Sequence, residues 1–69
     1  MAHDKLAYMA NQIGRFFAHQ PDEPAIAAIN DHLRKFWDPR MRKQIVADLD
    51  TMDLDPRVRQ AVERLKAPV

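Results

Sequence analysis

Side chains that commonly catalyse reactions or bind metal ions are few and scattered in this sequence. Its three histidines are His3, His19 and His32. His3 precedes the first predicted helix and lies about four turns from His19 at the end of that helix, too far to share a metal ion. His32 lies beside an apolar stripe, which favours a hydrogen-bonded edge residue over a ligand. The chain has no cysteine, no serine and one glycine, which excludes the usual nucleophiles and a glycine-rich phosphate loop. We therefore expect no catalytic residue, metal site or cofactor.

Charged residues are segregated along the chain. A basic segment, residues 34–43, precedes an acidic segment, residues 48–55, and the net charge of +1 gives no general attraction for nucleic acid or acidic lipid. The four aspartates of the acidic segment lack the central glycine and final glutamate of a calcium-binding loop. One interpretation is two solvated faces that attract each other. The alternative is a small helical regulatory or nucleic-acid-binding protein that uses the basic segment.

One polar cluster lies on the first predicted helix. Tyr8, Gln12, Arg15 and His19 share a face, with Asn11 beside them. Side chains that offer one well-directed hydrogen bond are unusual on an exposed helix face, where lysine and glutamate would be enough to keep the protein soluble. This face is either an ordinary exposed face or a contact surface for another protein.

A second cluster follows the second predicted helix. Trp37, Pro39, Arg40, Met41 and Arg42 surround a rigid Asp-Pro corner. Tryptophan, methionine and arginine are enriched where proteins bury surface against each other. The residues therefore predict a protein interface, unless Trp37 closes a small core and the arginines pair with nearby aspartates.

The elements that position these clusters are helices. Apolar residues at three- and four-residue steps predict helices at 4–19, 23–36, 39–50 and 56–66, with no strand. Asp38-Pro39 and Asp55-Pro56 are strong start signals, and Asp22 is expected to cap the second helix. Short loops favour antiparallel packing of successive helices.

The expected fold is all-α, a small single-domain bundle of four short helices spanning residues 1–69, with an ordered core of about 4–66. The predicted core consists of Leu6, Ile13, Phe17, Ile26, Ile29, Leu33, Phe36, Ile45, Leu49, Val58, Val62 and Leu65. So small a core predicts a chain that is marginally stable or self-associates when isolated. No signal peptide or membrane span is evident, which indicates a cytoplasmic protein that contacts no membrane.

These same clusters resemble a known family. The Met9-Ala10-Asn11-Gln12-Ile13 block, followed by the block at residues 36–42, is similar to the delta subunit of bacterial molybdenum- or tungsten-dependent, NAD-linked formate dehydrogenases. The similarity extends from about Lys5 to Leu65. Gly14 stands where alanine is expected, and Thr51-Met52-Asp53 replaces a turn where relatives tend to have glycine.

The resemblance implies a non-catalytic accessory subunit. Its partner would be the catalytic (alpha) subunit of the formate dehydrogenase, and the metal, iron-sulfur and flavin cofactors would belong to other subunits. The implied role is assembly, cofactor loading or stability of that subunit, with no contact to nucleic acid. The expected interface residues are Tyr8, Asn11, Gln12, Arg15, Trp37, Pro39, Arg40, Met41 and Arg42.

Overall fold

The chain folds into four α-helices and one short 3-10 turn. A computed structural model describes the backbone of residues 2–66 and the side chains of residues 5–66. The helices are α1 (Ala2–Phe16), α2 (Asp22–Phe36), α3 (Pro39–Ala47) and α4 (Pro56–Glu63), and the 3-10 turn is Leu49–Thr51. This confirms the predicted all-α fold class and the number of helices. No helix in the described part of the chain is long and apolar enough to cross a membrane.

The two Asp-Pro sequences begin helices as predicted. An Asp38 carboxylate oxygen accepts a hydrogen bond from the Met41 amide at 2.8 Å, and an Asp55 oxygen accepts one from the Arg57 amide at 3.1 Å. In both cases proline follows at the first helical position, where its missing N–H costs no bond. The prediction that Asp22 caps α2 was wrong. Asp22 is the first residue of the helix after Pro21 and makes no capping bond.

Three of the helices end earlier than predicted. After Phe16 the chain turns through i→i+3 bonds, such as Phe17 N–H to the Gly14 carbonyl at 3.2 Å, so α1 does not reach residue 19. The 3-10 turn replaces the last residues expected in α3, and α4 ends at Glu63 in a similar turn. Tight terminal turns form hydrogen bonds with the carbonyls that a regular helix leaves unpaired, and the spacing of apolar residues does not predict such turns.

The core lies where α2 packs on α4, with α1 against α3 and α4. Seven predicted core residues are buried there: Ile26, Ile29, Leu33, Ile45, Leu49, Val58 and Val62. Four more are half-buried against them: Leu6, Ile13, Phe17 and Leu65. The predicted core is therefore confirmed except at one position, and every buried side-chain N or O atom in the described part has a hydrogen-bond partner.

The exception is Phe36, which was wrongly predicted to be in the core. Phe36 is 73% exposed, whereas its neighbour Trp37 is only 6% exposed and belongs to the core. Phe36 does continue the apolar stripe of α2, but no helix covers the last turn on that side. Its ring lies on that of His32, with centroids 4.7 Å apart. The chain leaves the helix at Trp37 in an extended conformation, which lets the indole pack inward.

Arginines connect the ends of the helices. In this arrangement, called here the arginine–carbonyl bonds, a guanidinium donates to a main-chain carbonyl at or beyond the end of another element. Arg42 donates to the carbonyls of Arg34 and Trp37, and Arg34 donates to the carbonyl of Arg64. Arg57 donates to the carbonyls of Ala18 and Gln20, and Arg59 donates to the carbonyl of Leu49. These bonds satisfy carbonyls that helix ends leave without partners.

Ion pairs add further links between elements. Arg57 pairs with Asp22 at 2.8 Å, Arg59 with Asp50 at 2.8 Å, and Arg64 with Glu23. Asp50 of the acidic segment is thus paired with α4, and among the described side chains no aspartate of this segment makes an ion pair with the basic segment at 34–43. The interpretation of two mutually attracting charged faces finds no ion pair to support it in this part of the chain.

Candidate partner-binding surface

The first predicted cluster divides into exposed and internal side chains. Tyr8, Gln12 and Arg15 are exposed on the outward face of α1, and Tyr8 is 65% exposed. Asn11 is turned toward the rest of the molecule. Its amide donates to the Asp53 carbonyl at 3.0 Å, and its side-chain oxygen accepts from the Asp55 amide at 2.9 Å. Asn11 therefore fixes the chain just before α4.

The predicted interface residues at the corner between α2 and α3 differ in exposure. Trp37 is buried, Met41 and Arg42 are half-buried, and Pro39 and Arg40 are exposed. Arg42 Nη1 donates to the Arg34 carbonyl at 2.8 Å and to the Trp37 carbonyl at 2.6 Å. Nη1 of this guanidinium is therefore engaged at the end of α2, so a contact of Arg42 with a partner would use its other N–H groups.

The largest exposed apolar side chains lie elsewhere. Phe16 is 75% exposed and Phe36 is 73% exposed. A shallow groove of about 270 Å³ between α1 and α2 is lined by Gln12, Ile13, Phe16, Phe17 and His32. Because Phe36 lies on the ring of His32, it extends this groove along α2. We call Tyr8, Gln12, Phe16, His32 and Phe36 the aromatic surface.

Phe16 and Phe36 were not predicted to be surface residues, because both lie on apolar stripes. A signal was present in the two adjacent aromatic pairs, Phe16-Phe17 and Phe36-Trp37. Successive residues on a helix point about 100° apart, so both members of such a pair cannot face one narrow core. In each pair one ring is inside or half-buried and the other is outside. The Phe16 and Phe17 rings meet edge to face, 5.3 Å apart.

The residues that the structure describes offer no metal-binding group. No group of three or more histidines, aspartates or glutamates in this part of the chain could hold a metal ion. The basic segment also offers less to nucleic acid than its composition indicates, because Arg34 and Arg42 are engaged with carbonyls. What the surface offers is exposed aromatic rings beside a neutral groove, which is typical of a protein-binding site.

Comparison with known proteins identifies a family. The family model described as NADH-dependant formate dehydrogenase delta subunit FdsD matches residues 5–62. The matched range includes the aromatic surface and the corner between α2 and α3. Neither the curated proteins nor the solved structures gave a match to this chain.

Proposed function

Because this chain belongs to the delta subunit family of NADH-dependent formate dehydrogenases, we propose that it is a non-catalytic accessory subunit that binds the catalytic subunit of that complex. Binding would support assembly, cofactor loading or stability of the catalytic subunit. The aromatic surface would form the principal contact, and Arg15 and Arg40 would lie at its edges or at a second contact.

The observation that carries this proposal is the exposure of Phe16 and Phe36 on the two helices that border the groove. Burying a phenylalanine side chain is worth about 1.5–3 kcal/mol, so leaving two in water forgoes a substantial part of the stability available to a small domain. Large aromatic side chains that are exposed together mark surfaces that another protein covers. The aromatic surface is accordingly the part of the chain best suited to bind a partner.

The lack of reactive groups supports an accessory role. The sequence contains no serine or cysteine, and its histidines are separated. The groove is lined by apolar and aromatic side chains with one amide and one imidazole. Such a lining suits recognition, whereas formate oxidation requires cofactors for which these residues provide no ligand set.

The test is co-purification of the untagged chain with a tagged catalytic subunit, followed by formate-dependent NAD reduction in cells. We expect Phe16→Ala and Phe36→Ala each to weaken binding by about 2 kcal/mol, or about thirtyfold. Both side chains are exposed, so the melting midpoint should change little. Gln60→Ala, at an exposed position on α4, is the control and should behave as wild type.

Two results would contradict the proposal at different levels. Failure of the wild-type chain to bind the catalytic subunit would exclude the function. Full binding by the Phe16→Ala/Phe36→Ala double variant would leave the function standing and place the interface outside the aromatic surface.

A further inference from the structure

The outward face of α1 is cationic as well as aromatic. Lys5, Tyr8, Gln12 and Arg15 recur at three- and four-residue steps and are all exposed. The sequence from Lys5 to His19 contains no acidic residue. Asp4 precedes Tyr8 by one turn, but neither Lys5 nor Arg15 has an acidic residue three or four positions away in α1 with which to form an intrahelical ion pair.

Arg15 is the best-placed cation on this face. None of the carboxylates that the structure describes lies within ion-pair distance of its guanidinium. Asp53 and Asp55 border, together with Arg15, a separate depression between α1 and the start of α4, and an Asp55 oxygen is engaged as the cap of α4. The other arginines of α2 to α4 that make arginine–carbonyl bonds are held in place, whereas Arg15 makes no hydrogen bond to a described residue.

The groove beside this face is neutral and small. Its lining contains no charged side chain, and its volume of about 270 Å³ is open to solvent. Sites that bury a small molecule usually enclose about 300–1,000 Å³, so this groove is better suited to one or two apolar side chains of another protein. Burying a charge there would be unfavourable because no partner for it is present.

A second copy of the chain is a poor occupant. Two copies that met through α1 would bring Lys5 and Arg15 of each close to the same cations of the other, and like charges across an interface are unfavourable. A stable interface also buries about 800 Å² on each partner, roughly a sixth of the 4738 Å² that this chain exposes. The groove supplies only part of that area, so the complementary partner must extend along the cationic face as well.

We propose that the occupant is an acidic amphipathic helix of the catalytic subunit. Its apolar side chains would lie in the groove against Phe16, Ile13 and Phe36, and its carboxylates would lie beside Lys5 and Arg15. Helix-on-helix docking fits the three- and four-residue spacing of the α1 face, since a helical partner presents its side chains with the same period. The inference rests on the proposed function and specifies the chemistry of the partner.

The experiment measures the Kd of the wild-type chain with purified catalytic subunit across a range of salt concentrations. Arg15→Glu should weaken binding by about tenfold or more and reduce its dependence on salt, because a favourable charge pair becomes a repulsive one. Arg15→Gln should have a smaller effect. Lys66→Glu, the same reversal after α4, is the matched control and should resemble wild type. Melting of all three variants should remain close to that of the wild type.

A photo-crosslinker at Tyr8 identifies the partner segment. We expect the crosslinked peptide to be acidic, with apolar residues at helical spacing, and reversal of its carboxylate to lysine should restore binding to Arg15→Glu. Equal Kd and equal salt dependence for wild type and Arg15→Glu would overturn the inference. The proposed function would still stand, because the wild-type chain would still bind the catalytic subunit. A crosslink to a segment without acidic residues, or to a second copy of this chain, would also overturn it.

Discussion

At the scale of single residues, Gly14 is explained by a close approach between helices. A Cβ atom built at Gly14 would lie 2.5 Å from Cγ2 of Val58, nearer than real Cβ contacts allow. Val58 is fully buried, so it has little room to move. The glycine, which departs from the alanine expected in this family, lets α1 and α4 pack closely at the cost of some helix stability.

Replacing this glycine therefore tests packing against helix propensity. Alanine should favour the helix by about 1 kcal/mol, but overpacking a core costs about 1–3 kcal/mol. We expect Gly14→Ala to lower the free energy of unfolding, measured by urea denaturation. The Gly14→Ala/Val58→Ala double variant should be more stable than the sum of the two single changes indicates, because the methyl groups no longer collide. A Gly14→Ala chain more stable than wild type would show that the helices separate easily.

Residue roles were predictable where the partner atoms are near in sequence. The Asp38 and Asp55 caps bond to amides two or three residues later, and the sequence alone identified them. Asn11 was predicted to lie at an interface, whereas its side chain bonds to Asp53 and Asp55, which are 42 and 44 positions later in the sequence. Its acceptor and donor there are main-chain atoms, which leave no sign in the side-chain pattern.

At the scale of elements, the corner between α2 and α3 offers a matched pair of arginines. Arg42 bonds to two carbonyls at the end of α2, and Arg40 is exposed on the same helix. Arg42→Ala should cost about 2 kcal/mol of stability, which lowers the melting midpoint of a domain this small by roughly 8 °C or more. Arg40→Ala should leave the midpoint unchanged and, if this position contacts the partner, weaken co-purification.

Thermal unfolding by circular dichroism measures the difference between the two variants. Equal midpoints for Arg40→Ala and Arg42→Ala would contradict a stabilising role for the Arg42 bonds. A lower midpoint for Arg40→Ala alone would show that the exposed arginine has a structural partner instead.

The number and order of the helices were predictable because apolar spacing and Asp-Pro starts are local signals. Which residue of each aromatic pair faces the core could not be predicted, because that depends on where the neighbouring helix lies. Phe36 continues the stripe of α2 as regularly as Leu33 does, yet only Leu33 is covered. The aromatic surface therefore became visible only when the packing of α2 on α4 was known.

At the scale of the whole molecule, a core of a dozen or so side chains limits stability. We expect the isolated chain to melt well below 90 °C, the range of hyperstable proteins, which thermal unfolding by circular dichroism measures. Adding the catalytic subunit should raise the melting midpoint, as binding to the folded state requires. A hyperstable monomer would show that the chain needs no partner to stabilise it.

The arginine–carbonyl bonds have a consequence for how sequences of this kind can vary. Every amino acid supplies a main-chain carbonyl, so the positions that accept these bonds can change identity without losing them. The donors cannot, because the guanidinium fork has no equivalent among the other side chains. Among homologues, Arg42, whose acceptors are both main-chain carbonyls, should therefore persist without a covarying partner, whereas Arg34, Arg57 and Arg59 also bond to side chains that can change with them. A solitary invariant arginine of this kind looks like a functional residue in an alignment, although in this molecule it holds the end of one helix against the next.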